Sequence, residues 1–439
     1  RCKEAANYAL ELFPGTTSPL YLLARMALLE EHDTQKANDF IEQMENKDDL
    51  EYLYVKAEIL IFNGEINKAD ELLKSTMSTL DEEQRSELSI NAASIFIDYQ
   101  EMVKGEEWLN LCKSSDSDDY YELLAQIAIN KGNYKKSESI LNQLLDKEPY
   151  STVRWNMLAS AQYYNNDLHS SMTSSEFALA IDKESVPALI NKANCLMKLG
   201  NLSEALEYYR RYLVLVPNDI NVYFMVASAL ITINKIDEAK EFINKAEEII
   251  PHITNDVSEV LVNMIHILNS IEDFDKSLIY IDKLSKVDKN QIQTHLLRGE
   301  VLMENDNIKE GLANLNQSFE LSNNDPYICL SVAIILYDAG LTKLAYKYFN
   351  TLLKIIKDLK EESTWADGYS YIALCAQELE EYDVYFKFLK LAVERNPEEA
   401  KFILGPHLPE DLDIDEYYKY AVEHPEYRPE DKEQNNNIN

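Results

Sequence analysis

A helix–turn–helix pattern recurs at a fixed interval along this chain of 439 residues. In the stretch 186–219, apolar residues recur three and four positions apart through both halves, which predicts two amphipathic helices. Gly200 separates the two helices, because glycine suits the left-handed conformation that ends a helix, and Pro217 closes the second. The pattern starts again every 34 residues, at Asp118, Thr152, Val186 and Ile220. Such a period predicts stacked helix pairs rather than one globular core.

These stretches resemble the tetratricopeptide repeat family. That family's motif places small residues at positions 8 and 20, a turn near position 15, and proline at position 32. Eleven full repeats can be phased on it, starting at Ser18, Leu50, Ser86, Asp118, Thr152, Val186, Ile220, Ser258, Ile292, Pro326 and Ala366. The resemblance implies an all-α fold, an α-solenoid in which antiparallel helix pairs form a right-handed superhelix.

The small residues have a packing reason. Positions 8 and 20 lie where the paired helices approach most closely, so a large side chain would hold the helices apart. Position 8 is small at Ala57, Ala93, Ala125, Ala159, Ala193, Ala227, Gly299, Ala333 and Ala373. Arg25 and Ile265 break this rule at position 8, and Tyr385 breaks it at position 20 of the last repeat. We therefore expect looser packing in the last repeat, at Tyr385.

The repeats divide the chain into four predicted segments. Residues 1–17 match the second helix of a truncated repeat, so we expect a natural N-terminal portion to be missing, and residues 18–397 carry the eleven repeats. Residues 398–423 predict helices that cap the solenoid, and 424–439 predict a disordered polar tail. Two junctions are longer than the others, at 252–256 and 358–365, and we interpret both as surface loops.

Composition excludes several classes of partner. The formal net charge is −35, and no cluster of Lys or Arg is present, which argues against nucleic acids and anionic membrane surfaces. No run of 18 apolar residues exists, so no segment predicts a membrane span. The five cysteines are widely spaced without a CxxC pair, which favours reduced, buried thiols. We expect a cytoplasmic protein, and its abundance of Asn, Ile, Lys and Tyr suggests a bacterial source.

No motif predicts catalysis. The seven histidines include no HExxH pair, and the sequence lacks the glycine-rich phosphate loops and the GxSxG nucleophile elbow. Acidic pairs are frequent, as the net charge requires, and are typical of solvated surfaces. We therefore expect a protein that is not an enzyme and has no cofactor and no metal.

The resemblance implies a binding groove on the face formed by the first helix of each repeat. The family's inward positions carry a polar and aromatic cluster at Asn156, Tyr163, Tyr164, Asn194, Lys198, Phe224 and Ser228. Asn can both donate to and accept from a peptide backbone, and Tyr offers an apolar ring with a polar tip. The alternative is that these rings only pack on one another. Inward positions of other repeats carry Glu58, Asp98, His266, Glu300, Glu304, Tyr337 and Asp338.

The sequence predicts a scaffold that binds a protein or peptide segment without catalysis. Family members that clamp a C-terminal carboxylate use a cluster of basic residues, whereas here Lys198 is the main inward lysine, so we expect a basic or amphipathic partner. Two alternatives stay open: the helical regulatory part of a larger enzyme or sensor, and an exported cell-surface binding module. The oligomeric state is left open.

Overall fold

The computed structural model describes residues 2–29, 31, 33–112, 117–359, 366–407 and 414–423. Within these residues the regular structure is entirely helical, with 25 α-helices and two short 3-10 turns. The chain divides into two compact units, residues 1–217 and 218–439. The predicted tail, 424–439, lies outside the described residues.

Unit 1 consists of successive helix pairs. Its helices are α1 Cys2–Leu12, α2 Thr17–Leu29, α3 Thr34–Ile41, α4 Leu50–Phe62, α5 Ile66–Met77, α6 Glu82–Asp98, α7 Met102–Leu109, α8 Asp118–Asn130, α9 Tyr134–Lys147, α10 Thr152–Tyr164, α11 Leu168–Ile181, α12 Val186–Lys198 and α13 Leu202–Leu215. From α2 onward each even-numbered helix packs on the helix that follows it and on the next even-numbered helix. The even-numbered helices α2–α12 therefore line one face, called here the first-helix face of unit 1.

Unit 2 has the same pairing. Its helices are α14 Ile220–Thr232, α15 Ile236–Ile249, α16 Val257–Ser270, α17 Phe274–Leu284, α18 Ile292–Glu304, α19 Ile308–Leu321, α20 Pro326–Asp338, α21 Thr342–Leu359, α22 Ala366–Glu378, α23 Tyr382–Arg395, α24 Pro397–Leu404 and α25 Ile414–Glu423. α24 packs on α22 and α23, and α25 packs on α23. Each unit is thus an α-solenoid of helix pairs, as the sequence predicted.

The turns within the helix pairs share one backbone conformation. The residue two places after the end of the first helix has a positive φ in pair after pair, at Gly64, Gln100, Gly132, Asn166, Gly200, Asn234, Glu272, Asp306, Gly340 and Glu380. Glycine, asparagine and aspartate accept this left-handed conformation most readily, and they hold most of these places. The corresponding residue of the first phased repeat, His32, lies outside the described residues.

Small residues are buried where the paired helices meet. The alanines predicted at position 8 are all fully buried, including Ala57, Ala159 and Ala333. In the α18–α19 pair glycine takes both close-approach positions, Gly299 and Gly311. A Cβ added at Gly299 would lie 2.5 Å from Leu315 Cδ2 and 3.2 Å from the Leu315 backbone nitrogen. The backbone atom cannot move aside as a side chain can, so this contact sets how closely α18 and α19 approach each other.

Replacing Gly299 with Val is expected to destabilise unit 2 by about 1–3 kcal/mol, because the added carbons overpack the contact with Leu315. Urea unfolding followed by circular dichroism measures the loss. The control is Ala313→Val on the exposed side of α19, which adds the two Cγ carbons of valine outside the contact and should change stability by only about 0.5 kcal/mol. Equal losses in the two variants would show that α18 and α19 are not closely packed at Gly299.

The exception at Arg25 has an electrostatic explanation. Arg25 Nε lies 2.9 Å from Glu58 Oε1 on the neighbouring α4, and Arg25 Nη2 lies 3.8 Å from Asp98 Oδ2 on α6. Glu58 is fully buried. Burial raises the pKa of Glu58 to about 7, an effect that Arg25 opposes and Asp98 reinforces. The long side chain of Arg25 therefore serves a buried carboxylate of the next helix pair.

Other local features differ from the sequence expectations for identifiable reasons. α6 begins at Glu82, ahead of the phased start at Ser86, because Asp81 and Gln84 form a reciprocal capping box. Tyr385, which was expected to disturb the last repeat, is 1% exposed and has its ring centroid 6.5 Å from that of Tyr417 in α25. The pair α22–α23 stays closely packed around it.

The remaining expectations concern thiols, long junctions and membrane spans. Cys195, Cys329 and Cys375 are buried free thiols. The junction 252–256 follows a 3-10 turn, Ile250–His252, whereas residues 360–365 of the other long junction lie outside the described residues. None of the helices in the described part of the chain combines the length and hydropathy needed to cross a bilayer.

Candidate functional site

Four side chains form a row beside the turns of unit 1, three at the ends of the first helices α10 and α12 and one, Tyr134, at the start of α9. Tyr163 and Tyr164 end α10, with ring centroids 5.5 Å apart in an edge-to-face arrangement. The ring of Tyr164 stacks on that of Tyr134 at 5.9 Å, and Lys198 Nζ lies 4.1 Å from the ring centroid of Tyr163. We call Tyr134, Tyr164, Tyr163 and Lys198 the tyrosine–lysine row. Tyr164 is 60% exposed, so the row presents aromatic surface to solvent.

Both predicted asparagines already have partners. Asn156 Nδ2 donates to Ser185 Oγ at 3.0 Å, which ties α10 to the residue preceding α12. Asn194 Oδ1 accepts from the Tyr209 hydroxyl at 2.7 Å. The Nδ2 group of Asn194 has no hydrogen-bond acceptor among the described residues. The asparagines thus support the local packing, and Asn194 keeps a donor for a ligand.

The two predicted residues of unit 2 differ in exposure. Phe224 on α14 is 6% exposed and offers little surface to a partner. Ser228, one turn further on, is exposed, and its carbonyl accepts from the Thr232 hydroxyl at 2.9 Å. We therefore take the row of unit 1, without Phe224, as the better-presented part of the predicted cluster.

Sequence reasoning missed one member of the row. Tyr134 starts α9, a second helix, whereas the family's inward positions lie on the first helices. Its contact with Tyr164 reaches across one repeat boundary. The available signal was an aromatic residue directly after the turn, which the motif does not assign to the groove.

Unit 2 contains a cavity of about 420 Å³ with an acidic wall. Glu300 and Glu304 come from α18, Asp306 from the turn after it, and Asp338 from the end of α20. We call this space the acidic cavity. Three of the four carboxylates were among the predicted inward residues, and the structure brings these three together around one space.

Burial sets the electrostatics of the acidic cavity. It raises the pKa of Glu300, Glu304 and Asp338, in each case as the largest cause. The charge of Asp338 raises the pKa of Glu300 further, and the charge of Glu300 does the same for Glu304. The nearby His266 has its pKa lowered by burial, which the charge of Glu304 opposes. The carboxylates therefore repel one another in a partly desolvated space.

Asn269 forms part of the surroundings of this cavity and was not predicted. It is 8% exposed on α16, and its Nδ2 group donates to Glu304 Oε2. Its Oδ1 atom is buried and has no hydrogen-bond partner within the described residues. By contrast, the predicted inward Tyr337 donates its hydroxyl to Glu378 at 2.8 Å and is already paired.

Metal binding is not indicated by this geometry. In the described part of the chain, no group of three or more His, Cys, Asp or Glu side chains is arranged to hold a metal ion. The acidic cavity therefore offers negative charge without converging metal ligands.

Comparison with known proteins identifies the family. Sequence models of the tetratricopeptide repeat match residues 118–149, 186–219 and 220–253. This chain contains tetratricopeptide repeats. The three matched stretches coincide with the helix pairs α8–α9, α12–α13 and α14–α15.

Individual relatives are more distant. The chain is 27% identical over 177 residues to protein FlbA of Caulobacter vibrioides, which covers 40% of this chain and 30% of that protein. It is 25% identical over 202 residues to protein NPGR2 of Arabidopsis thaliana, covering 45% of this chain and 26% of that protein. The chain thus spans less than a third of the length of either relative.

A solved structure of a tetratricopeptide repeat protein from Parabacteroides merdae is 16% identical to this chain. The match covers 54% of this chain and 93% of that one, with a TM-score of 0.44.

Proposed function

We propose that this tetratricopeptide repeat protein is a non-catalytic scaffold that binds an extended protein segment along the first-helix face of unit 1. The family assignment supports a protein-interaction scaffold. The observation that carries the more specific proposal is the tyrosine–lysine row, in which Tyr164 is 60% exposed beside Tyr163 and Lys198. Tyrosine is enriched at protein interfaces, since a rigid ring buries a large area at little entropic cost.

The charge of the protein points to a basic or amphipathic segment. The net charge is −35, so a basic partner is attracted at long range and an acidic one is repelled. Lys198 is held over the ring of Tyr163 rather than in a cluster of basic residues. This arrangement supports apolar and hydrogen-bonding contacts in the row, with the attraction supplied by the surrounding acidic surface.

Replacing Tyr163 and Tyr164 together with Ala is expected to weaken peptide binding by at least roughly thirtyfold, because the loss of even one aromatic anchor costs about 2 kcal/mol. Peptides selected from a random display library on the wild-type protein would be synthesised, and their dissociation constants measured by fluorescence anisotropy. Circular dichroism would verify that the variant is folded.

The matched control is Tyr150→Ala. Tyr150 is 81% exposed in the turn between α9 and α10, outside the predicted groove. Its removal should leave the affinity within about twofold of wild type. Peptides that bind the double variant as tightly as wild type would place the interaction elsewhere and overturn the proposal.

A further inference from the structure

We propose that the acidic cavity of unit 2 is a pocket for one lysine or arginine side chain of a protein segment that runs along the first helices of unit 2. This inference rests on the proposed scaffold function and adds to it a second, charge-selective contact. The chemistry of the cavity wall indicates the occupant, because four lining residues are acidic and four are apolar.

The acidic half of the wall lacks a counter-charge of its own. No ion pair with Lys or Arg involves Glu300, Glu304, Asp306 or Asp338 among the described residues, and no basic residue lines the cavity. Asp70 of unit 1 provides a contrast, because this carboxylate forms ion pairs with Lys74 at 2.8 Å and with Lys104 at 3.0 Å. The carboxylates of the cavity have no such partner within the described residues, and Glu304, Asp306 and Asp338 are open to solvent.

The apolar half of the wall decides between a metal ion and an organic cation. Met303, Ile308, Ile335 and Ala339 form the rest of the lining. A metal ion would gain nothing from these side chains, whereas lysine and arginine carry an aliphatic stem that packs on apolar surface while the charged end reaches the carboxylates. The volume of about 420 Å³ lies near the lower end of the range for small-ligand sites, which suits one side chain.

Asn269 gives an independent indication of a missing donor. It is more than nine-tenths buried, its amide nitrogen is held by Glu304 at the cavity wall, and its carbonyl oxygen has no hydrogen-bond partner within the described residues. Leaving a buried acceptor unpaired is unfavourable. A cationic N–H group that binds Glu304 would lie beside this amide.

The cavity also lies on the groove side of unit 2. Glu300 and Glu304 belong to α18 and Asp338 to α20, two first helices that pack on each other. By the family's pattern these are inward positions. A segment running along the first helices of unit 2 would therefore pass the mouth of the cavity.

The test uses the intact protein labelled with 13C in its methionine methyl groups. Met303 lines the cavity, and Met225, 41% exposed on α14, serves as a reference in the same unit. The probes are a short arginine-containing peptide amide and the same peptide with citrulline, which keeps the shape and lacks the charge. Met303→Leu assigns the resonance.

We expect the arginine peptide to shift the Met303 resonance saturably, and the citrulline peptide to leave it unchanged. Glu300→Gln combined with Asp338→Asn should weaken this binding by about tenfold or more. The matched control, Glu241→Gln combined with Asp237→Asn on the exposed side of α15, removes the same two charges outside the cavity and should leave the affinity unchanged. It also measures the general attraction of a basic peptide to an acidic protein.

Three results would overturn the inference: equal shifts with arginine and citrulline, unchanged affinity in the double variant, or saturation of the Met303 shift by calcium or magnesium alone. The same titration on the Tyr163→Ala, Tyr164→Ala variant separates the two proposals. If the selected peptides bind the tyrosine variant more weakly than wild type but bind the Glu300→Gln, Asp338→Asn variant as tightly as wild type, only the inference fails. If the arginine peptide still shifts the Met303 resonance saturably, while the selected peptides bind the tyrosine variant as tightly as wild type, only the proposed groove fails.

Discussion

Replacing Trp108 with Ala is expected to destabilise unit 1 by about 3–5 kcal/mol, the usual cost of removing a fully buried aromatic ring. Trp108 lies on α7 within the core formed by α4 to α8 and is completely buried. Its indole N–H donates to Asp70 Oδ1 at 3.0 Å, so the substitution leaves a cavity and also removes a hydrogen bond to a charged group. Asp70 keeps its two lysines, which limits the additional electrostatic cost.

Hydrogen exchange is the appropriate measurement for Trp108→Ala, because a solenoid can open locally without unfolding as one unit. We expect protection to fall in α5–α8 and to remain at the wild-type level in α14–α25. The control Trp108→Phe keeps most of the ring and loses the N–H donor, so it should cost about 2 kcal/mol. A loss below about 1 kcal/mol for the alanine variant would mean that the core collapses around the gap.

The repeated fold was predictable because each element satisfies the same local rule. Gly200 and Pro217 mark a turn and a helix end by backbone preference alone, and alanine at position 8 marks a close contact. Ten turns then share the left-handed residue two places after the first helix. Repetition turns weak local signals into a strong one, since every new pair must agree with the register of the others.

Irregular positions were less predictable because their reasons lie in the neighbouring helix pairs. Arg25 reads as a violation of the small-residue rule until Glu58 and Asp98, from two later first helices, are placed beside it. Tyr385 reads as a packing fault until Tyr417 of α25 is seen against it. Such contacts join residues far apart in sequence, and the motif carries no information about them.

The candidate site was likewise predictable in part. The motif predicted which residues of the first helices face inward, including Tyr163, Lys198 and Glu300, because facing follows from helical period. It could not indicate that Phe224 is buried or that Asn156 is already bonded to Ser185. It also missed Asn269, whose significance depends on an unpaired oxygen rather than on residue type. Burial and pairing are properties of packed side chains and need coordinates.

The stability of unit 1 is expected to fall as the pH rises from about 4.5 to about 7, because of Glu58. Burial raises the pKa of this carboxyl group from 4.5 to about 7 in the folded protein. Between these values the folded state keeps a proton that the unfolded state has released, so unfolding is favoured as protons become scarce. The shift corresponds to roughly 3 kcal/mol over this interval, with little change in this contribution above or below it.

Glu58→Gln should remove this pH dependence. The amide stays neutral at every pH, so the variant should equal wild type near pH 4.5 and exceed it in stability above pH 7. Arg25 tolerates the loss of its partner because it is partly exposed and lies near Asp98. Urea unfolding at a series of pH values, followed by Trp108 fluorescence with Trp155 and Trp365 replaced by Phe, measures the effect in the core that contains α4 and α7.

The matched control is Glu71→Gln, an exposed glutamate on α5 of the same unit, which should retain the slope of the wild-type protein. Asp98 contributes in the same direction as Glu58, since burial also raises its pKa, so a small residual slope is expected in Glu58→Gln. An unchanged slope in that variant would show that Glu58 is ionised in the folded state across the whole range. The Arg25 ion pair would then outweigh the cost of burial, and Arg25→Met would become the more damaging substitution.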